Sequence, residues 1–219
     1  MAAALGPQGW WPGRTRFEVI VGAILTQNTS WTNVARAIQR LRRQRALTTQ
    51  ALAALSRARL AQLIRSSGYY NVKAGRVKRF LGFLQDRYGL SLSRMFARRP
   101  SNLREELLAV PGIGPETADS ILLYAGGVPI FVVDAYTRRI LSRHSIVAPD
   151  ATYDEIQALF TGALPPNATH YNEYHALLVA VGKTYCRPIP RCDACPLRRD
   201  LEHHCPATAR RFLRLKTRD

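Results

Sequence analysis

A chain of 219 residues is long enough for one large or two small domains with a real core. Its 32 Lys+Arg against 15 Asp+Glu leave a formal charge of +17, which favours a polyanionic partner. The apolar stretch 19–25 is too short to span a bilayer, and residues 1–8 lack the basic start and long apolar run of a secretion signal, so an intracellular, cytoplasmic protein with no membrane partner is expected. Lysine occurs only at Lys73, Lys78, Lys183 and Lys216; the remaining cations are Arg, which suits bidentate phosphate contact, although an Arg-rich genome would produce the same bias.

Taken in chain order, the apolar periodicity is helical nearly throughout, and the fold class it predicts is all-α. Val19, Ile20, Ala23 and Ile24 share a face after the loop at Pro12 and Gly13. Thr29 or Ser30 is placed to cap a helix with Val34, Ala37, Ile38 and Leu41 inward and Arg36, Arg40 and Arg43 off that face. Leu52, Leu55, Leu60, Leu63 and Ile64 predict two short helices leading to Gly68, and a longer one follows over about 72–88, with Val77, Phe80, Leu81 and Leu84 inward.

Ser101 is a candidate N-cap for a helix carrying Leu103, Leu107 and Leu108. The turn Val110-Pro111-Gly112-Ile113-Gly114 comes next, then a helix through Ala118, Ile121, Leu122 and Ala125. Proline fixes one backbone angle, and each glycine is free to take positive φ or to lie close against a ligand. The free N–H groups opening the second helix form an anion site, for which a DNA phosphate is the obvious candidate; an ordinary helix connection fits the same residues. The β-branched run 128–133 is isolated and reads as a buried connection rather than a sheet. Helices are expected near 135–142, 153–161 and 171–184, with Pro165 and Pro166 separating the last two.

All four cysteines fall in the tail: Cys186, Cys192, Cys195 and Cys205, spaced C-x5-C-x2-C-x9-C. Clustered thiols in an intracellular chain argue for metal rather than disulfides, and from spacing alone a [4Fe–4S] cluster and a structural zinc ion stand equal. His203 and His204 add zinc-compatible donors. Either metal would pin a loop whose Arg187 and Arg191 can face phosphates.

The hairpin VPGIG, the acid closing VVD and the clustered cysteines together resemble the helix-hairpin-helix DNA glycosylases of the endonuclease III family. The segments ILTQNTS (24–30) and GYYNVKA (68–74) look like family segments too, so the likeness runs from Phe17 to Cys205. It implies a two-lobed fold with a C-terminal four-cysteine loop. One lobe is a helical barrel domain over 16–127; the other is a cluster domain over 1–15 and 128–219, with the DNA cleft between them. It favours [4Fe–4S] over zinc, although the usual family spacing is C-x6-C-x2-C-x5-C. The implied partner is double-stranded DNA with a damaged base, bound by a monomer associated with the nucleoid.

By the resemblance, Asp134 matches the catalytic aspartate; by itself it reads as an N-cap. Gln27 and Tyr69 fall where the family fills the gap left by a flipped nucleotide, and Gly112 and Gly114 match its phosphate-binding hairpin. Bifunctional members carry a lysine two residues after the second hairpin glycine; this chain has Glu116, and a carboxylate cannot form a Schiff base. Loss of that amine points to the subgroup that excises alkylated purines such as 3-methyladenine. Trp10, Trp11 and Trp31 resemble its base-stacking positions, and Lys183 is a further pocket candidate.

The expected function is thus a monofunctional glycosylase of base excision repair. The competing readings are an endonuclease III-like enzyme for oxidised pyrimidines with weak or no lyase step, a non-catalytic DNA-structure binder, and an RNA-binding zinc protein.

Overall fold

A computed structural model describes residues 1–11 and 13–200 of the chain. Among them there is no strand, and the periodicity resolves into twelve α-helices. These are α1 (Ala2–Leu5), α2 (Arg16–Thr26), α3 (Trp31–Arg43), α4 (Thr49–Ala54), α5 (Arg57–Leu63) and α6 (Tyr70–Tyr88). They continue as α7 (Leu92–Phe96), α8 (Pro100–Leu108), α9 (Pro115–Ser120), α10 (Ala135–Arg143), α11 (Tyr153–Ala163) and α12 (Ala168–Thr184). Helix α9 runs on into a π-helical turn, Ile121–Ala125.

Most helices start as local chemistry requires. The side chains of Thr15, Thr48, Ser56, Ser91 and Asn167 each accept a backbone N–H in the first turn, and Thr152 with Glu155 forms a reciprocal capping box. Three boundaries differ from the sequence reading. Pro100, not Ser101, opens α8, because proline at the first helical position has no N–H to leave unpaired. Ser30 precedes α3 without a side-chain cap bond. Helix α12 starts at Ala168, one turn before Tyr171, because Asn167 supplies the cap. The short helices α1 and α7 have too few residues to show an apolar period.

The chain forms two compact units, one of residues Trp11–Ile130 and the other of Met1–Trp10 with the described residues from Phe131 onward. In the first, α2 is the central element: Ile20, Ile24 and Leu25 are fully buried, and α3, α6 and α9 pack around it. Each such side chain contributes about 1.5–3 kcal/mol of burial. Glu18 of α2 is buried and paired with Arg42 of α3. In the second unit α10 packs on α12, and the connection through Phe131, Val132 and Val133 is buried, with Phe131 stacked on Phe160 of α11 at 3.8 Å.

Among the described residues, no helix is long and apolar enough to cross a membrane.

Candidate active site

The glycine hairpin joins α8 to α9 and is braced from both sides. Arg104 of α8 grips the fully buried Asp119 of α9 through two bonds, Nε to Oδ1 at 2.7 Å and Nη2 to Oδ2 at 3.2 Å. Gln27, at the end of α2, donates its amide to the Gly112 carbonyl at 3.0 Å and to Thr117 Oγ1 at 2.9 Å, and accepts from Arg76 of α6. Gln27 therefore acts as a brace of the hairpin, a role carried by Arg76 and Thr117 as well, neither of which stood out in the sequence.

The two glycines are not equivalent. Gly112 has φ +97°, and a Cβ there would lie 2.7 Å from Arg76 Cγ. Gly114 is extended, with φ −96° and ψ −179°, and a Cβ there would meet nothing within 4 Å. Of the two glycines, each free to take positive φ or to lie close against a ligand, Gly112 alone takes the positive φ. Gly112→Ala should cost about 1–3 kcal/mol of unfolding free energy, whereas Gly114→Ala should change it by under about 0.5 kcal/mol; urea denaturation of the two variants checks the contrast. Glu116 is exposed in the first turn of α9, where the helix dipole favours an acid.

Tyr69 takes a left-handed conformation (φ 43°, ψ 35°) directly after Gly68 (φ 67°), and its side chain is 73% exposed. A tyrosine held in that region costs about 1–2 kcal/mol, so the loop 64–69 must be fixed by its surroundings. Lys73, only 1% exposed, supplies part of that restraint by donating Nζ to the Ser67 carbonyl at 2.5 Å. Burial, and then the nearby Arg76 charge, lower the Lys73 pKa to about 8 from 10.5. Between those two values the unfolded chain holds the extra proton, so stability rises with pH there, and the full cost of burying the charge is present below about pH 8. Wild type should gain on Lys73→Met by as much as about 3 kcal/mol as pH rises from 8 to 10.5, measured as the difference in unfolding free energy.

The tryptophans separate. Trp11 and Trp31 meet edge to face at 5.0 Å, and Trp11 stacks on Tyr124 of the π-helical turn at 5.0 Å. Gly22 of α2 leaves room for both indoles. Tyr124 was not singled out by its sequence context; its place depends on the π turn, a local irregularity common at functional sites. Trp10 belongs to the other unit. Its carbonyl accepts from Asn172 of α12 at 2.6 Å, and Lys183 Nζ lies over its ring at 5.3 Å. Lys183 is exposed overall, yet partial desolvation of the amine lowers its pKa against the opposing effect of the Asp134 carboxylate.

Asp134 caps α10. Its Oδ1 accepts the Thr137 N–H at 2.7 Å, and its Oδ2 lies 3.7 Å from Nε2 of His175 on α12. Burial pushes the carboxyl pKa up, but His175 and the Thr137 bonds outweigh it and hold the group below the ordinary carboxylate value. The carboxylate is thus charged, oriented and largely shielded from water.

The cysteine loop follows α12. Cys186, Cys192 and Cys195 line one small cavity of about 20 Å³ with Arg143, His144 and Tyr185. Arg143 Nη1 lies 3.4 Å from Cys186 Sγ and donates to the Arg187 carbonyl at 2.6 Å. Arg139 donates to the Cys186 carbonyl at 2.7 Å and the Gly182 carbonyl at 3.0 Å. Arg187 and Arg191 are exposed on the loop. Cys205, with His203 and His204, lies outside the described residues. Among the described residues no three His, Cys, Asp or Glu side chains gather closely enough to hold a metal ion. The donor chemistry still fits a thiolate-held cluster: three cysteines line one cavity, Cys186 and Cys195 as free thiols, and a guanidinium beside Cys186 suits an anionic site.

These features coincide with a described family. Residues 21–166 match the profile of the HhH-GPD superfamily of base excision DNA repair proteins. A protein of Methanocaldococcus jannaschii assigned by name to the DNA repair glycosylases is 46% identical over 194 residues, covering 88% of each chain. Endonuclease III of Thermotoga maritima is 31% identical, over 89% of this chain and 84% of its own. Among solved structures, H. pylori 3-methyladenine DNA glycosylase bound to 1,N6-ethenoadenine superposes with a TM-score of 0.70 at 29% identity, over 82% of this chain and 90% of that one. A trapped covalent endonuclease III–DNA intermediate gives 0.75 at 26%, over 91% and 87%. The chain belongs to the HhH-GPD superfamily and is a DNA glycosylase of base excision repair.

Proposed function

We propose that this glycosylase is monofunctional and releases alkylated purines such as 3-methyladenine from duplex DNA, with Asp134 as its catalytic carboxylate. The observation that carries the reading is the state of Asp134: half-buried at the start of α10, held below the ordinary carboxylate pKa, and fixed by Thr137. A base within the duplex is out of reach until it is flipped from the stack. As the bond from C1′ to the base nitrogen breaks, its electron pair leaves with the base and positive charge builds on the sugar. The Asp134 carboxylate stabilises that charge and orients the water whose oxygen bonds to C1′; the water's proton passes to the carboxylate or to solvent. An alkylated purine is already cationic and departs neutral, so little leaving-group protonation is required.

Two further features support the substrate class. Glu116 replaces the amine that a lyase step needs. The cluster of Trp11, Trp31 and Tyr124 offers aromatic surface, which attracts cationic bases. Trp10, with Lys183 over its ring, is a further aromatic candidate for the base pocket, and Lys183 feels the Asp134 charge. Tyr69 is the group presented to the gap in the duplex, with Gln27 acting through the hairpin. Gly112, Gly114, Arg187 and Arg191 are the phosphate contacts.

Cys186, Cys192, Cys195 and Cys205 would hold a [4Fe–4S] cluster, which when bound pins the loop carrying the two arginines. Iron and sulfide content and a brown colour of the purified protein separate it from zinc. The enzyme acts as a monomer on nucleoid DNA inside the cell. Base release from duplexes carrying 3-methyladenine or oxidised pyrimidines tests the substrate: preferential purine release is expected, and preferential pyrimidine release would establish the endonuclease III-like activity instead.

A further inference from the structure

Neither motif nor spacing draws notice to His175, yet it is among the few buried polar side chains of the described residues of its unit, at 4% exposure. Helices α10 and α12 lie alongside each other so that Asp134 meets His175, Tyr136 meets Gly182, and Arg139 meets the Cys186 carbonyl. The approach is close: a Cβ on Gly182 would lie 2.5 Å from Tyr136 Cδ1. Phe131 stands edge-on to the imidazole at 6.4 Å, closing its apolar side. The other titratable groups at this corner are Lys183, two turns further along α12, Tyr174 against Phe131 and Phe160, and Tyr153 of α11, whose hydroxyl accepts the Val133 N–H.

We propose that His175 is the positioning residue of Asp134, fixing Oδ2 while the Thr137 N–H fixes Oδ1, so that the carboxylate presents one orientation to the reacting sugar. This rests on Asp134 being the catalytic carboxylate. A carboxylate held by the backbone at one oxygen alone still rotates its second oxygen; a buried imidazole opposite that oxygen stops it. The 3.7 Å separation is an ion-pair distance, longer than a direct hydrogen bond, and such contacts tighten when substrate is bound. His175 also favours the charged carboxylate, so its removal raises the pH at which Asp134 becomes ionised.

The test compares wild type, His175→Phe, His175→Gln and Asp134→Asn in single-turnover base release on alkylated duplex, with affinity measured on duplex carrying an abasic analogue. His175→Phe keeps the ring against Phe131 but has no polar atom. It should slow release by roughly 10- to 100-fold, move the acid limb of the rate profile to higher pH and leave affinity within about twofold. His175→Gln, which retains a donor, should recover part of the rate and of the profile. In the Asp134→Asn background, His175→Phe should have no further effect. A wild-type rate and pH profile in both His175 variants, beside an inactive Asp134→Asn, overturns the positioning role alone; a fully active Asp134→Asn overturns the site reading beneath it. Should the Phe variant fail to fold, the 15N resonance of His175 Nε2 decides: it should differ between wild type and Asp134→Asn, and an unchanged resonance overturns the proposal.

Discussion

Asp134→Asn is expected to reduce base release by about 10²- to 10⁴-fold while duplex binding persists. The variant isolates charge from structure. Asparagine is as good an N-cap as aspartate, so the bond to the Thr137 N–H and the start of α10 survive. What disappears is the negative charge that, in the proposed mechanism, faces the sugar as its bond to the base breaks. Single-turnover release and gel-shift affinity on the same duplex read the two quantities separately. Unchanged release would show that Asp134 serves only as a helix cap; lost binding with it would show that the residue shapes the protein rather than the reaction.

Borohydride reduction of the enzyme on damaged duplex should trap no covalent protein–DNA adduct, and the product strand should stay intact until treated with alkali. A Schiff base requires an uncharged amine at the sugar, and the family position for that amine holds Glu116. Glu116 is exposed in the first turn of α9, so Glu116→Lys should be accommodated without loss of fold and should yield a trappable adduct where wild type yields none. A strong wild-type adduct would overturn the monofunctional assignment and direct attention to Lys183, whose amine already has a lowered pKa and lies within the electrostatic reach of Asp134.

Several parts of the site were legible in the amino-acid order because the physics behind them is local. An acid directly before a helical run reads as an N-cap, and Asp134 is one. Pro-Gly-Ile-Gly between two apolar periods reads as a tight helix connection, and Gly112 with its positive φ forms it. Glu116 is read directly from the motif, and only the family resemblance sets it against a lysine. Sequence shows which residues tolerate positive φ, not which one adopts it: of the two glycines, Gly112 does and Gly114 does not.

The three tryptophans show where local reading stops. Adjacent in sequence, Trp10 and Trp11 fall in different units, one against Lys183 and Asn172, the other against Trp31 and Tyr124. Gln27 presents the same lesson, since its amide is committed to a hairpin 85 positions away.

By itself, then, the sequence determined the helical class, the hairpin, the capping acid, the carboxylate at Glu116 and the cysteine spacing, all of which depend on residues within a turn or two of one another. Only the tertiary structure decided which oxygen of Asp134 faces His175, which glycine carries the positive φ and what Gln27 holds. Those pairings join distant segments through the packing of whole helices, and packing leaves no periodic trace in the residues that it brings together.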